Sequence, residues 1–225
     1  MQTDVVIIGA GPAGIFTAME MLRRGSRKRV TIVEKGLPVE KRRCPKRESG
    51  VCANCRPYCR ITTGFSGAGA FSDGKLSLSC DVGGDLPELI GARIAQETID
   101  YTDGIYLEFG ADGHVEGLGS SETVKDIRRR AIRAGLRLVD CPIRHLGTER
   151  AQELYLAIER RLESAGVELR FDCEARDLII ENGECLGVRV RSGGAEEELL
   201  AGSPVAATGR RGADWLEKLC TEHGI

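Results

Sequence analysis

The sequence predicts an α/β fold with a parallel central sheet, a β-meander beside it and part of a second domain. Three observations carry this prediction. A β-branched run, Thr3–Ile8, leads straight into a glycine turn and then a helical stretch ending near Gly25. Further strand-like runs alternate with helix-period stretches along the chain. An Asn182-Gly183 pair sits between two strand-like runs, where it marks a tight hairpin.

The first element also carries the clearest chemistry. Gly9-Ala10-Gly11-Pro12-Ala13-Gly14 has the spacing and the strand–turn–helix context of a dinucleotide fingerprint. Gly9 lets the chain turn off the strand, Gly11 lets a pyrophosphate approach the backbone, and Gly14 lets the helix pack close. Pro12 suits the first helical turn, where a missing N–H costs little. The first free N–H groups of the helix, beginning with Ala13, face the phosphates with the positive end of the helix dipole. Arg29–Val33 reads as the second strand, and Glu34 ends it, 20 residues after Gly14. A carboxylate there accepts hydrogen bonds from ribose hydroxyls and disfavours a 2′-phosphate.

Composition narrows the class. The chain has 225 residues, 29 of them Gly, and aromatics make up only 4 %, which suits a glycine-turn-rich α/β fold better than an aromatic-packed sandwich. A net charge of −2 gives no global sign of nucleic acid or membrane binding. A first strand at residue 3 leaves no room for a secretory signal, and no apolar run approaches the roughly 18–20 residues that span a bilayer. Nine cysteines without such a signal point to a reducing, cytoplasmic setting.

After Glu34 comes a basic stretch, Lys35, Lys41, Arg42, Arg43, Lys46 and Arg47, read as a solvated loop or as neutralisation of phosphates or thiolates. Cys44, Cys52, Cys55 and Cys59 follow within 16 residues. Four thiolates at this spacing suit one zinc or an iron–sulfur cluster, a CxxC redox pair, or thiols that bind nothing. The segment Thr63–Leu76 is rich in small residues. Gly67, Ala68, Gly69 and Ala70 let backbone approach a flat or anionic ligand, with Lys75 as a candidate cation.

The next elements are less marked. A helix is expected over Pro87–Ile99, a short strand at Ile105–Leu107, and a helix capped by Ser120 or Ser121 that runs to Ala134. Val124, Ile127, Ala131 and Ala134 give that helix an apolar stripe, and Lys125, Arg128, Arg129, Arg130 and Arg133 cover much of the rest. Leu136–Val139 reads as a strand. Thr148 begins a helix whose apolar face is Ala151, Leu154, Tyr155, Ile158 and Leu162, ended by Gly166. Val167–Phe171 is then a strand that completes a second crossover, and His145 is a candidate for proton transfer. Asp177–Val190 forms the hairpin, a third strand of the meander lies near Glu198–Leu200, and Pro204–Ala207 is a separate short strand ending at Thr208 and Gly209. The expected division is a cofactor-binding core over 1–80 and 136–215, with 81–135 inserted on the substrate side.

Gly9–Gly14, Glu34, the hairpin and Ala207-Thr208-Gly209 resemble the glutathione-reductase-type Rossmann flavoproteins. The cysteine cluster, Gly64–Leu76, His145–Thr148 and Ala207–Arg210 resemble more closely the poorly characterised FAD-dependent dehydrogenases of prokaryotes. The resemblance spans essentially the whole chain, and Gly67–Leu76 is its most specific part. It implies FAD and an oxidoreductase role. Gly9, Gly11, Pro12, Ala13 and Gly14 would hold the pyrophosphate, and Glu34 with Lys35 the adenosine ribose. A backbone contact at Ala175 would lie near adenine. Gly67–Ala70, Lys75 and Leu76, with Thr208 and Gly209, would lie towards the rest of the cofactor. A later Gly-Asp motif typical of such proteins is not found after Gly209, so the sequence is expected to be an N-terminal part of a longer protein. The partner is then a small-molecule substrate or an electron-transfer protein. An NAD-binding dehydrogenase is the alternative, and a metal-binding or RNA-interacting module built on the cysteines and the basic helix is a further one.

Overall fold

The structure is a computed structural model and describes residues 2–117, 119 and 121–225. It divides into two compact units, Met1–Phe71 with Tyr155–Ile225, and Ser72–Leu154.

In the first unit, β1 (Gln2–Ile8) and β2 (Val30–Val33) are short apolar runs, buried from Val5 to Ile8 and throughout β2. Burial on both faces is what a parallel sheet demands. Between them lies α1 (Pro12–Arg23), which buries Gly14, Ile15, Ala18 and Met19. A short helix, α2 (Lys46–Ser49), falls in the cysteine-rich loop. The remaining strands are β5 (Glu168–Arg170), β6 (Cys173–Glu181), β7 (Glu184–Ser192) and β8 (Ala195–Ala206). The sheet order is β5-β2-β1-β8-β7-β6, parallel from β5 to β8 and antiparallel from β8 to β6.

The hairpin turn lies at Asn182 and Gly183, both with positive φ, as a two-residue turn of this hand requires. The third meander strand and the separate strand after it prove to be one. β8 pairs antiparallel with β7 up to Leu200 and parallel with β1 from Leu200 to Ala206. Pro204 is tolerated inside it because β7 does not flank that stretch, so a missing N–H breaks no ladder there. A helix that the sequence reading did not anticipate, α7 (Ala213–His223), follows. Trp215 on α7 packs against the core of Val6, Ile8, Val33, Cys173, Val188 and Leu199.

The second unit holds β3 (Lys75–Ser77), α3 (Leu86–Ile90), α4 (Ala92–Glu108), α5 (Glu122–Arg133) and β4 (Ile143–His145). The expected boundaries at 80 and 136 shift because β3 pairs antiparallel with β4, which keeps residues 72–80 and 136–154 in this unit. The single helix expected over Pro87–Ile99 is broken by Gly91 at φ 84° and resumes as α4. Ile105–Leu107 is not a strand; it continues α4 and buries Ile105 and Tyr106. Leu136–Val139 forms no strand either, and Leu136 and Val139 are exposed. Ser121 caps α5 by accepting the Val124 N–H at 3.3 Å, whereas Ser120 lies outside the described residues. No residue of α5 is buried, so its apolar stripe lacks the expected cover within this unit. Arg144 holds the unit together. It is 4 % exposed, makes paired bonds of 2.6 and 2.7 Å to Asp103, and donates to the carbonyls of Asp112 and His114.

The helix α6 (Thr148–Ser164) buries the whole predicted stripe, Ala151, Leu154, Tyr155, Ile158 and Leu162. It also buries Glu159, whose carboxylate accepts the Val39 N–H at 3.2 Å. Burial pushes this carboxyl up to about 7; Glu40 and Glu163 act in the same direction, while the Val39 N–H and Arg160 oppose. A carboxyl raised in the folded state holds its proton more tightly there than in the unfolded chain. Folding stability should therefore fall as pH rises from the ordinary glutamate range to about 7, and level off above it. Urea unfolding at pH 5 and pH 8 should show a loss on the order of 1–3 kcal/mol, and Glu159→Gln should abolish that difference.

Candidate functional site

The glycine turn is built by close backbone contacts. Gly9 has φ 106°, and a Cβ there would stand 2.6 Å from the Ala207 carbonyl oxygen. A Cβ on Gly14 would stand 2.0 Å from the Gly9 carbonyl oxygen. Gly11 differs: a Cβ on it would meet nothing within 4 Å. Two glycines are thus demanded by the fold, and the third borders open space. Gly11 is also the N-cap of α1, with Pro12 at the first helical position. Helix geometry leaves the N–H groups of Ala13 and Gly14 without carbonyl partners inside the helix, so they are donors for an anion.

Beside the turn lies a cavity of 90 Å³. Gly9, Glu34, Lys35, Ala175 and Thr208 line it, five of the residues singled out in the sequence. Glu34 is buried, and its carboxylate accepts the Ala10 N–H at 2.9 Å and the Gly36 N–H at 2.8 Å. Each oxygen keeps a second acceptor site for a ligand hydroxyl. Glu34 therefore fixes the turn and closes one end of the cavity. Cys173 and Glu174, just before Ala175, also line it, as do Gly212 and Trp215, which the sequence does not single out. Trp215 is the chain's one tryptophan, and that rarity was the available signal. Its indole N–H donates to the Arg176 carbonyl at 2.9 Å, which fixes the ring. Gly209 does not line the cavity; it has φ 58° and opens the short 3₁₀ turn Arg210–Gly212.

The small-residue loop is joined directly to the turn. The Ser66 N–H donates to the Ala10 carbonyl at 2.7 Å, with Ser66 held at φ 71°. The Ser66 hydroxyl accepts the Ala70 N–H at 3.0 Å. Gly67 borders open space, as Gly11 does, while Gly69 is pressed against the Tyr155 ring. Ala68 and Gly69 are partly or well exposed, and Ala70 is buried. Lys75 and Leu76 belong to the second unit, on β3, where Lys75 Nζ lies 3.8 Å from Asp73. There His145 Nδ1 also stands 3.2 Å from Asp73, with Nε2 3.3 Å from Glu116.

Arg42 belongs to the basic stretch read as a solvated loop or as neutralising phosphates or thiolates, and it is only 3 % exposed. Its guanidinium donates to the carbonyls of Arg60, Ile61, Phe65 and Gly67 and lies 4.5 Å from the Phe71 ring centre. Burial pulls it down to about 10, while Glu34, Cys59 and Glu159 favour the charged form. Arg42 is a positioning residue: it shapes the loop that meets the turn.

Cys44, Cys52, Cys55 and Cys59 line one further cavity, of 290 Å³. Among the described residues, no three His, Cys, Asp or Glu side chains form a set able to hold a metal ion. The structure therefore does not support the zinc or iron–sulfur alternative, and the four thiols line a common cavity. The basic helix is also locally neutralised. Arg128 pairs with Asp140, Arg130 with Asp126, and Lys125 and Arg129 with Glu122. Among the described residues, no helix is long and apolar enough to cross a membrane.

Replacing Arg42 with Met should leave four carbonyls without their shared donor. The expected loss is about 3 kcal/mol in urea unfolding. Limited proteolysis should then cut first within residues 60–71.

Comparison with known proteins agrees with this geometry. The pattern of the family described as FAD dependent oxidoreductase matches residues 4–223. The chain is 38 % identical over 72 residues to an uncharacterised protein of Clostridium beijerinckii, covering 32 % of this chain and 13 % of that one. The fold is similar to that of 3-ketosteroid-Δ4-(5α)-dehydrogenase from Rhodococcus jostii RHA1. That match has a TM-score of 0.59 and 16 % identity over 92 % of this chain and 46 % of the other. Glycine oxidase from Geobacillus kaustophilus gives a TM-score of 0.55 at 20 % identity, over 100 % of this chain and 59 % of the other. The chain thus spans about half the length of these solved structures. With the turn, the acid and the cavity in place, and a match along nearly its whole length, the chain belongs to the FAD-dependent oxidoreductase family.

Proposed function

We propose that the first unit binds FAD through its adenosine and pyrophosphate, and that the protein is an FAD-dependent dehydrogenase. The observation that carries this reading is the contrast among the three glycines: Gly9 and Gly14 are wedged against backbone, and Gly11 faces open space beside the Glu34 cavity. When bound, FAD supplies the two-electron chemistry, and the protein positions and tunes it.

The roles of the chain's own residues follow from their placement. The N–H groups at Ala13 and Gly14 take the pyrophosphate. Glu34 takes the adenosine ribose hydroxyls and repels a 2′-phosphate. Ala175 offers backbone to the adenine, with Trp215 as a flat apolar wall. Gly67, half-buried with open space where a Cβ would stand, gives the rest of the cofactor close access to the loop that Arg42 shapes. The cysteine loop and Gly67–Leu76 support assignment to the prokaryotic subfamily that shares them. Nine free thiols suit a reducing compartment such as the cytoplasm. The reaction partner is a small-molecule substrate or an electron-transfer protein.

Titration of the full chain with FAD and, separately, NAD, read by Trp215 emission, tests the reading. FAD should bind more tightly, and tighter binding of NAD overturns the proposal. Gly11→Ala should weaken FAD binding at least ~10-fold, about 1.4 kcal/mol. Its unfolding without ligand should stay within about 0.5 kcal/mol of the parent. Gly14→Ala should instead lose the folded state.

A further inference from the structure

The cysteine-rich loop has no part in the nucleotide reading, yet it is organised. Cys44, Cys52, Cys55 and Cys59 line one cavity together with Arg56, Arg60 and Arg211, and no acidic residue lines it. All four thiols are free, and Cys52 is exposed. Thiols gathered under cations are the setting in which a thiolate forms and reacts. Cys59 is the most favoured of them. The N–H groups of Ile61 and Thr62 hold its thiol below the usual range, the Thr62 hydroxyl and Arg211 add to this, and burial opposes it.

This cavity is tied to the adenosine cavity on two sides. Tyr58, next to Cys59, donates its hydroxyl to Glu174 Oε1, and Lys35 Nζ lies 4.7 Å from the Tyr58 ring centre. Glu174 and Lys35 both line the adenosine cavity. Burial, with help from Glu174, pushes the Tyr58 hydroxyl up to about 12, so it stays a donor at neutral pH. On the other side, Arg211 of the cysteine cavity adjoins Gly212, which lines the adenosine cavity with Trp215.

We propose that the cysteine cavity is an oxidant-reactive dithiol site: Cys59 reacts with a hydroperoxide, closes a disulfide with Cys44, Cys52 or Cys55, and so reshapes the adenosine cavity through Tyr58. The Cys59 sulfur attacks one peroxide oxygen. An S–O bond forms, the O–O bond breaks, and the leaving oxygen takes a proton to become water or an alcohol. Cys59 is now a sulfenic acid. A second cysteine then attacks that sulfur; an S–S bond forms, the S–O bond breaks, and hydroxide leaves as water with the proton of the second thiol. Two thiols have given two electrons to one peroxide. A disulfide needs its Cα atoms roughly 4.4–6.8 Å apart, so closing one fixes the loop that carries Tyr58. The coupling rests on reading the neighbouring cavity as the adenosine site; the thiol chemistry does not.

The test uses the reduced full chain and one equivalent of hydrogen peroxide. Thiol titration and peptide mass mapping should show two thiols lost per chain, in a disulfide joining Cys59 to one of the other three, reversed by dithiothreitol. Trp215 emission should shift on oxidation without added FAD, and FAD affinity should change with it. Cys59→Ser should slow thiol loss at least tenfold, while Cys185→Ser, on β7 outside the cavity, should not. Should Cys59→Ser fail to fold, substoichiometric iodoacetamide on the parent chain should label Cys59 first. Tyr58→Phe should keep the disulfide and lose the Trp215 response. A disulfide mapped elsewhere, first labelling at another cysteine, or thiol loss indifferent to Cys59→Ser overturns the site. Oxidation with unchanged Trp215 emission overturns the coupling. A Trp215 response in a chain that does not bind FAD overturns the cofactor reading and leaves the dithiol site standing.

Discussion

One buried guanidinium organises the loops around the Glu34 cavity. Arg42 binds four carbonyls between residues 60 and 67, a stretch with neither strand nor helix to satisfy them. A buried cation of this kind is tolerable only when its donors are used and its charge is balanced. The balancing acids are informative: Glu34 in the cavity wall, Cys59 in the cysteine loop and Glu159 on α6. The cavity wall, the cysteine loop and the packing of α6 therefore share one electrostatic centre. Changing the charge of any of the three alters the field felt by the other two.

The sequence made some of this legible because the determinants are local. Gly9–Gly14 and Glu34 declare themselves through spacing alone, and the structure gives Gly9 and Gly14 the close backbone contacts expected of them, while Gly11 borders open space. Asn182-Gly183 and the stripe on α6 are local in the same way. Arg42 was hidden because it lies in a run of like charges, where the ordinary expectation is solvation. Ile105–Leu107 resembled a strand in composition, but the helix already running from Ala92 continued through it. Arg144 and its partner Asp103 are 41 residues apart, and no pattern within one window joins them.

The cysteines teach a related lesson. Their spacing left metal ligation, a redox pair and thiols that bind nothing all open, and the structure has them share a cavity. What spacing does not encode is whether their sulfur atoms converge on one point or face a common space. That distinction separates metal ligation from thiol reactivity, and it depends on side-chain direction in a loop with little regular structure of its own.

β8 joins two kinds of sheet in one strand, antiparallel at its start and parallel to β1 at its end. Its register pairs Gln2 with Leu200, so β1 gains this neighbour only once β8 has been made. Pairing over such a separation carries a large loop-closure cost and forms slowly. During synthesis, β1 and the glycine turn emerge well before Ala207, against which Gly9 packs. The glycine turn thus lacks one wall until β8 has been made. A ligand that needs that wall is captured only after β8 pairs with β1, although the turn itself lies within Gly9–Gly14.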